Sequence, residues 1–470
     1  MDDRKEMSLM DITSCYTVKL RSQMTSRCLG GKCSADDFTG ETKVSDALMR
    51  STADECLSAY SMCCALFLKD WDEIRLYPSM PESGIISRKR FCDILIHSTN
   101  DSNARYPEFD REHAFFPSYM RRAVIADAIG AVSGYVSNHE NWETEDPLKR
   151  GKEPVFGLPE SYELTFYSQD RDTSLLESGI IGIKLYDGKS WGWYYFRISG
   201  SDARFIARMC AERKMLSPVI ERKGRRWQVR FSFSEKKTLT DKDPMDQRIL
   251  AVDLGIIAPA TWCVMESDGT VCARGTVRLA HDEDRLRHLM NRSRMYQQAG
   301  KKSHSIYRMM TAANRQLSID TARELMKVAD RYNVDCIVFE HLDSKGKKHG
   351  RMAQRIHMWR SCDVQNRVEL QAHRRGMRIS RICAWGTSKL AFDGSGPVKR
   401  GKKAGESIPY NICVFSTGKQ YSCDLSAAMN IGARYFLRAI KDAHKEIELP
   451  AVPQRTLSDL WRTADVLKAA

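Results

Sequence analysis

The chain has 470 residues, 42% apolar and 29% charged, a composition that excludes wholesale disorder, and its length calls for at least two hydrophobic cores. Its 74 Lys and Arg against 60 Asp and Glu leave a formal excess of +14, which favours polyanionic partners, nucleic acid ahead of anionic membrane. From Arg285 to Arg381, 22 basic residues stand against 8 acidic ones, so the charge is localised as a binding surface would be; a solvated helical face is the plainer alternative. No uninterrupted apolar run approaches the ~18 residues of a membrane helix. Met1–Glu6 lacks the apolar core of a signal peptide, and the 15 cysteines are scattered, as in reduced cytosolic proteins. A cytoplasmic protein without a membrane partner is expected.

In chain order, residues 46 to 75 and 117 to 141 carry apolar side chains at helical spacing and predict an amphipathic helical lobe. From Tyr162 the pattern changes to short aromatic or alternating runs: Tyr162–Tyr167, Ile181–Tyr186, Trp193–Ile198 and Trp227–Phe233. Asp187-Gly188 and Lys223-Gly224 are turn signals between them. These runs predict a β-rich module, a small barrel. After a polar link at Lys236–Gln247 come three strand-like segments ending near Asp253, Met265 and Val277. A long basic helical region, the strand Val334–Glu340, a helix, the strand Met377–Cys383 and a helix from Asp424 follow. That order is the one expected of an RNase H-like α/β fold.

Asp253 and Glu340 each close an apolar strand, and functional groups of open α/β sheets collect beyond the carboxyl ends of strands. Asp424 opens the last helix. Three converging carboxylates call for cations, and Mg²⁺ takes hard oxygen ligands while leaving room for water and phosphate. Two such ions activate a water and stabilise the leaving oxygen of a phosphodiester, so Asp253, Glu340 and Asp424 are the expected catalytic and Mg²⁺-binding residues. Taken singly, a strand-end salt bridge for Asp253 or Glu340 and an N-cap role for Asp424 remain open.

Ala251-Val-Asp253-Leu-Gly255, Ile337-Val-Phe-Glu340-His-Leu-Asp343 and Asp424-Leu-Ser-Ala-Ala-Met-Asn-Ile431 resemble, motif by motif, the three RuvC motifs of TnpB and the compact type V CRISPR nucleases. Thr387-Ser388-Lys389 resembles the start of that family's zinc-ribbon-like insert. The resemblance covers about residues 248 to 440. It implies an RNA-guided, Mg²⁺-dependent DNA endonuclease of the prokaryotic cytosol, with guide RNA and target DNA as partners and a heteroduplex gripped by shape and backbone charge. It also implies a layout: residues 1–45 as the N-terminal part of a wedge β module, 46–150 as a helical recognition lobe and 151–245 as the wedge β-barrel. Residues 246–382 would be the RuvC-like core, 383–423 a degenerate zinc-ribbon-like insert, and 424–470 the C-terminal RuvC helix and tail. Arg351, Arg355, Arg360, Arg374 and Arg375 are candidate phosphate contacts, with Trp359 stacking on a base or packing its helix onto the sheet. Arg225 and Arg226 either face RNA or form a turn beside a buried Trp227.

One departure is plain. The insert lacks Cys-x-x-Cys pairs and holds only Cys383, Cys413 and Cys423, so zinc is not expected and the loop Asp393–Pro397 should be shaped by its backbone. A guided repressor without cleavage, an RNase H-fold transposase and a junction resolvase are the competing functions. The acid order Asp, Glu, Asp differs from the Asp, Asp, Glu of transposases, and a resolvase leaves the first 240 residues without a purpose. Oligomeric state is not fixed by the sequence; a monomer is the expectation.

Overall fold

The computed structural model describes residues 9–27, 31–100, 102–148, 150–167, 169–255, 258–301, 303–341, 361–405, 408–444 and 455–469. The chain divides into two compact units, one of Thr13–Glu235 and one of Met1–Ile12 with Lys236–Ala470.

In the first unit the two segments with helical spacing are the long helices Asp46–Lys69 and Ser118–Thr144. Ser45 caps the first by accepting a hydrogen bond from the Leu48 N–H, satisfying one of the helix's orphan donors. The β-rich part forms two antiparallel five-stranded sheets, where the sequence suggested a barrel. One contains Ile180–Tyr186 paired with Trp191–Arg197; the other contains Val219–Lys223 paired with Arg226–Thr238. Gly188 (φ +97°) and Gly224 (φ +63°) supply the left-handed backbone at the two hairpin turns. Trp227, Val229, Phe231 and Phe233 alternate inward from the second sheet and meet Ile181, Ile183 and Phe196 of the first, together with Cys63, Phe67 and Val124 of the helices, in one core.

The second unit is built on β1 (Ile249–Asp253), β2 (Ala260–Met265), β3 (Val271–Val277), the helices α1 (Ala280–Gln298) and α2 (His304–Arg331), and β4 (Cys336–His341). Then come α3 (Ser361–Arg374), β5 (Arg378–Cys383), the short strands β6 (Lys399–Arg400), β7 (Ile412–Val414) and β8 (Gln420–Ser422), and the helices α4 (Cys423–Ala443) and α5 (Leu457–Ala469). The main sheet has the order β3-β2-β1-β4-β5. The first three strands form an antiparallel meander, and β4 and β5 run parallel to β1.

Both faces of this mixed sheet are covered, which is why β1 and β4 read as continuous apolar runs. Ile249, Ala251, Cys336 and Val338 face α4; Leu250, Val252, Ile337 and Phe339 face Leu325 and Met326 of α2 and Val368 of α3. Gly432 lets α4 lie close, since a Cβ there would sit 3.1 Å from the Met265 side chain and 3.3 Å from the Ala251 Cβ. The strands β6, β7 and β8 make a separate antiparallel sheet. It is tied down by the rings of Phe392, Phe415 and Tyr421, with the Lys419 ammonium over all three. In the loop before it, Gly394 (φ +76°) and Gly396 (φ +101°) set the backbone.

Candidate functional site

Side chains alternate across a strand, so Asp253 points to the same face of the sheet as Ile249 and Ala251, and Glu340 to the same face as Cys336 and Val338. That is the face covered by α4. Both acids lie one residue past the paired Val252 and Phe339, where two parallel strands run side by side. Gly255 permits the chain to turn immediately after Asp253, since a Cβ there would strike the Ala258 carbonyl oxygen at 2.6 Å. Asp424 sits in the first turn of α4, and the N-cap is Ser422, whose hydroxyl accepts from the Leu425 N–H at 3.4 Å. The cap is therefore filled by another residue, and the Asp424 carboxylate is not consumed in holding the helix.

All three acids are partly buried. Burial, followed by the charges of Glu340 and Asp424, pushes Asp253 well above the usual carboxylate range, and Arg400 partly offsets this. Burial also raises Glu340, against the opposing effects of the Thr387 hydroxyl and Arg434, and raises Asp424 against Arg400. Asp253 thus feels both other acids. Among the described residues, however, no three His, Cys, Asp or Glu side chains are gathered closely enough to cage a metal ion by themselves. Three half-buried carboxylates, two of which act on the third, are as a donor set suited to a hard divalent cation.

The surroundings of Glu340 are rigid. Thr387 donates to its carboxylate, and Gln365 donates to its carbonyl at 3.0 Å. Thr387 lies in the turn Ala384–Leu390, which one face of α4 holds: Ser426, Asn430 and Arg434 stand at successive four-residue steps. Asn430 donates to the carbonyls of Thr387 and Leu390, both at 3.0 Å, and Arg434 to those of Cys383 (2.8 Å) and Trp385 (2.7 Å).

Sequence reasoning missed Arg400. Its guanidinium is close enough to shift Asp253 and Asp424, yet Nε and Nη2 are buried with no hydrogen-bond partner among the described residues. Nothing local marks it among the many basic residues. Its position comes from the pairing of β6 with β7, which sets Arg400 opposite Cys413.

The other candidates are dispersed. Arg225 and Arg226 are exposed at a hairpin turn, while Trp227 is buried and donates to Asp46 at 2.8 Å. Arg375 is exposed, paired with Asp330 at 3.1 Å and bonded to the Gln371 carbonyl, and Arg374 is partly buried in the last turn of α3. Arg351, Arg355, Trp359 and Arg360 lie outside the described residues. In the basic stretch, α1 and α2 pack on each other through Leu286, Leu289, Met290, Ile306 and Met310, leaving Arg285, Arg292, Arg294, Arg308 and Arg315 exposed. Cys413 and Cys423 are buried and in contact with each other, and Cys383 is exposed on β5. No described helix is long and apolar enough to cross a membrane.

A family model described as the Aq_aa04 family matches residues 39–187. A comparison with curated proteins found no match. Among solved structures, a Cas12f1–sgRNA–target DNA complex is similar at 12% identity and TM-score 0.47, over 97% of this chain and 98% of that one. CasPhi-2 (Cas12j) bound to crRNA and phosphorothioate DNA is similar at 9% identity and TM-score 0.42, over 91% of each chain. The mini-RNA-guided endonuclease Cas_phi3 is similar at 14% identity and TM-score 0.35, over 64% of this chain and 66% of that one.

Proposed function

We propose that the chain is an RNA-guided, Mg²⁺-dependent DNA endonuclease of the prokaryotic cytosol, whose second unit is an RNase H-like (RuvC) nuclease. The observation that carries this reading is the placement of Asp253 and Glu340 at the carboxyl ends of the neighbouring parallel strands β1 and β4, on the sheet face covered by α4, whose first turn holds Asp424, with Asp253 within reach of both other charges. Asp253, Glu340 and Asp424 are the residues that would hold Mg²⁺. When bound, the metal supplies an activated water and stabilisation of the leaving oxygen of a phosphodiester.

The protein's own contribution is positioning. Thr387 fixes the orientation of Glu340, and the Arg400 N–H groups that have no partner among the described residues offer a phosphate the donors that a carboxylate site lacks. Guide RNA and target DNA are the proposed partners, on the strength of the motif resemblance and the localised basic surface. Arg225, Arg226, Arg374 and Arg375 remain proposed backbone contacts, with the helical segment 46–150 as recognition lobe and the flanking β module as wedge.

The test is co-expression with the flanking locus, purification, and sequencing of any bound RNA, followed by plasmid cleavage with a matched or scrambled target. A discrete RNA and cleavage of the matched target alone support the reading. RNA-dependent binding without cleavage selects the repressor; cleavage indifferent to RNA excludes guidance.

A further inference from the structure

Gln365 is a polar residue on the buried face of α3. Val364, Val368 and Ala372 of that helix pack into the core against β1 and β4, and Gln365, 6% exposed, stands beside them. An apolar side chain of the same length would fill this position without the cost of stripping an amide of water, so the amide is explained by the partners it finds. Its Nε2 donates to the main-chain carbonyl of Glu340 at 3.0 Å, and its Oε1 accepts from Nε of Arg381, on β5, at 3.3 Å. Nη2 of Arg381 donates in turn to Glu369, one turn further along α3, at 2.6 Å.

The Arg381 contact sets the direction of the whole chain of bonds. A guanidinium has donors and no acceptor, so the amide oxygen of Gln365 faces Arg381 and its N–H groups are left for Glu340. Strand carbonyls ordinarily accept from the next strand; that of Glu340 accepts from a helix side chain, at the point where the pairing of β4 with β1 has ended at Phe339. Glu340 is thereby held at both ends. Thr387 holds the carboxylate, and Gln365 holds the peptide group from which the side chain departs.

We propose that Gln365 is a positioning residue of the metal centre, pinning the main chain at Glu340 so that its carboxylate meets the cation together with Asp253 and Asp424. This rests on the nuclease reading and adds to it a residue of α3 that lies outside the three motifs. Sites of this kind need their ligands held to within about 0.5 Å, and the partners that hold a metal ligand typically matter about 10- to 100-fold to metal affinity.

The experiment titrates Mn²⁺, standing in for Mg²⁺, into full-length protein free of nucleic acid and measures the unbound ion by electron paramagnetic resonance. Gln365→Met keeps the length and the packing but neither hydrogen bond, and should bind Mn²⁺ about ten-fold more weakly than wild type. Arg381→Met, which lets the amide turn over, should also bind more weakly, although the loss of a positive charge by itself favours a cation. Val368→Ala is the control for stability: it removes core packing from the same helix without touching Glu340, and should lower the melting temperature while Mn²⁺ affinity stays at the wild-type value. Wild-type affinity in both Gln365→Met and Arg381→Met overturns the positioning role and leaves the metal centre standing, as does a fall in affinity that Val368→Ala matches. If wild type binds no Mn²⁺, or Asp253→Ala binds it equally well, the metal centre fails and the positioning role with it.

Discussion

Asn430 donates to the carbonyl of Thr387 at 3.0 Å, and Thr387 in turn donates to the carboxylate of Glu340, so a residue of the third sequence motif orients the acid of the second. Asn430 is fully buried, and its amide oxygen accepts from the Leu457 N–H at 3.3 Å, so its hydrogen-bonding groups are matched on both sides. Asn430→Ala takes the side-chain partner from the Thr387 carbonyl and from the Leu457 N–H and should cost about 1–3 kcal/mol of stability. DNA cleavage should fall further than melting explains, and Thr387→Ser should keep the activity that Thr387→Val loses. Parallel melts and cleavage rates check this.

Ser422 and Asp424 divide two roles that a single acid at a helix start often combines. Ser422→Ala should lower stability by about 1 kcal/mol through loss of the cap. Asp424→Ala should leave the melting temperature unchanged or raised, because a half-buried carboxylate that repels Asp253 is removed, while ending cleavage. A fall in stability from Asp424→Ala as large as that from Ser422→Ala would assign Asp424 to the helix instead.

Gly432→Val places a branched side chain against Met265 and Ala251, where even a Cβ is tight. Overpacking of this kind costs about 1–3 kcal/mol. Thermal melts should show the loss, and hydrogen exchange should place it in α4 and β1.

Asp170 gives a pH dependence in the first unit. It is 3% exposed, its Oδ2 has no hydrogen-bond partner among the described residues, and burial pushes it up to about 6, against a smaller opposing effect of Lys184. A carboxyl raised in the folded state binds more protons there than in the unfolded chain between roughly pH 4 and 6, so stability declines as pH rises through that window. The penalty is fully present above it and amounts to about 2–3 kcal/mol. Asp170→Asn should therefore melt higher than wild type at pH 8, with the difference shrinking toward pH 4.

The exposed arginines of α1 and α2 predict a salt effect. Replacing Arg292, Arg294, Arg308 and Arg315 with Gln should weaken nucleic-acid binding uniformly across sequences. It should also flatten the dependence of log K on log salt by about 0.9 for each duplex-DNA phosphate that is no longer neutralised. Binding isotherms at several salt concentrations measure both.

The core strands were legible because local pattern and tertiary role coincide there: β1 and β4 are buried on both faces and read as apolar runs. What pattern does not carry is pairing between distant segments. Arg400 reaches the acids only through the β6–β7 register, and Thr387 matters only because α4 holds its turn. The β-rich region showed its strands in sequence, but strand runs alone do not say which strands share a sheet, and two sheets formed where a barrel was expected. Likewise the insert's missing Cys pairs were plain, while the aromatic cluster of Phe392, Phe415 and Tyr421 that binds it together is assembled from residues up to 29 positions apart.

The measurement that bears most directly on the central claim is cleavage of a matched plasmid by the purified RNA–protein complex, in Mg²⁺ and in EDTA, for wild type, Asp253→Ala, Glu340→Gln and Asp424→Asn. Cleavage by wild type in Mg²⁺ alone, absent from all three variants while each still binds the target, is the predicted result. Undiminished cleavage by any of the three variants, or wild-type cleavage that survives EDTA, would contradict a metal-dependent centre built on these acids.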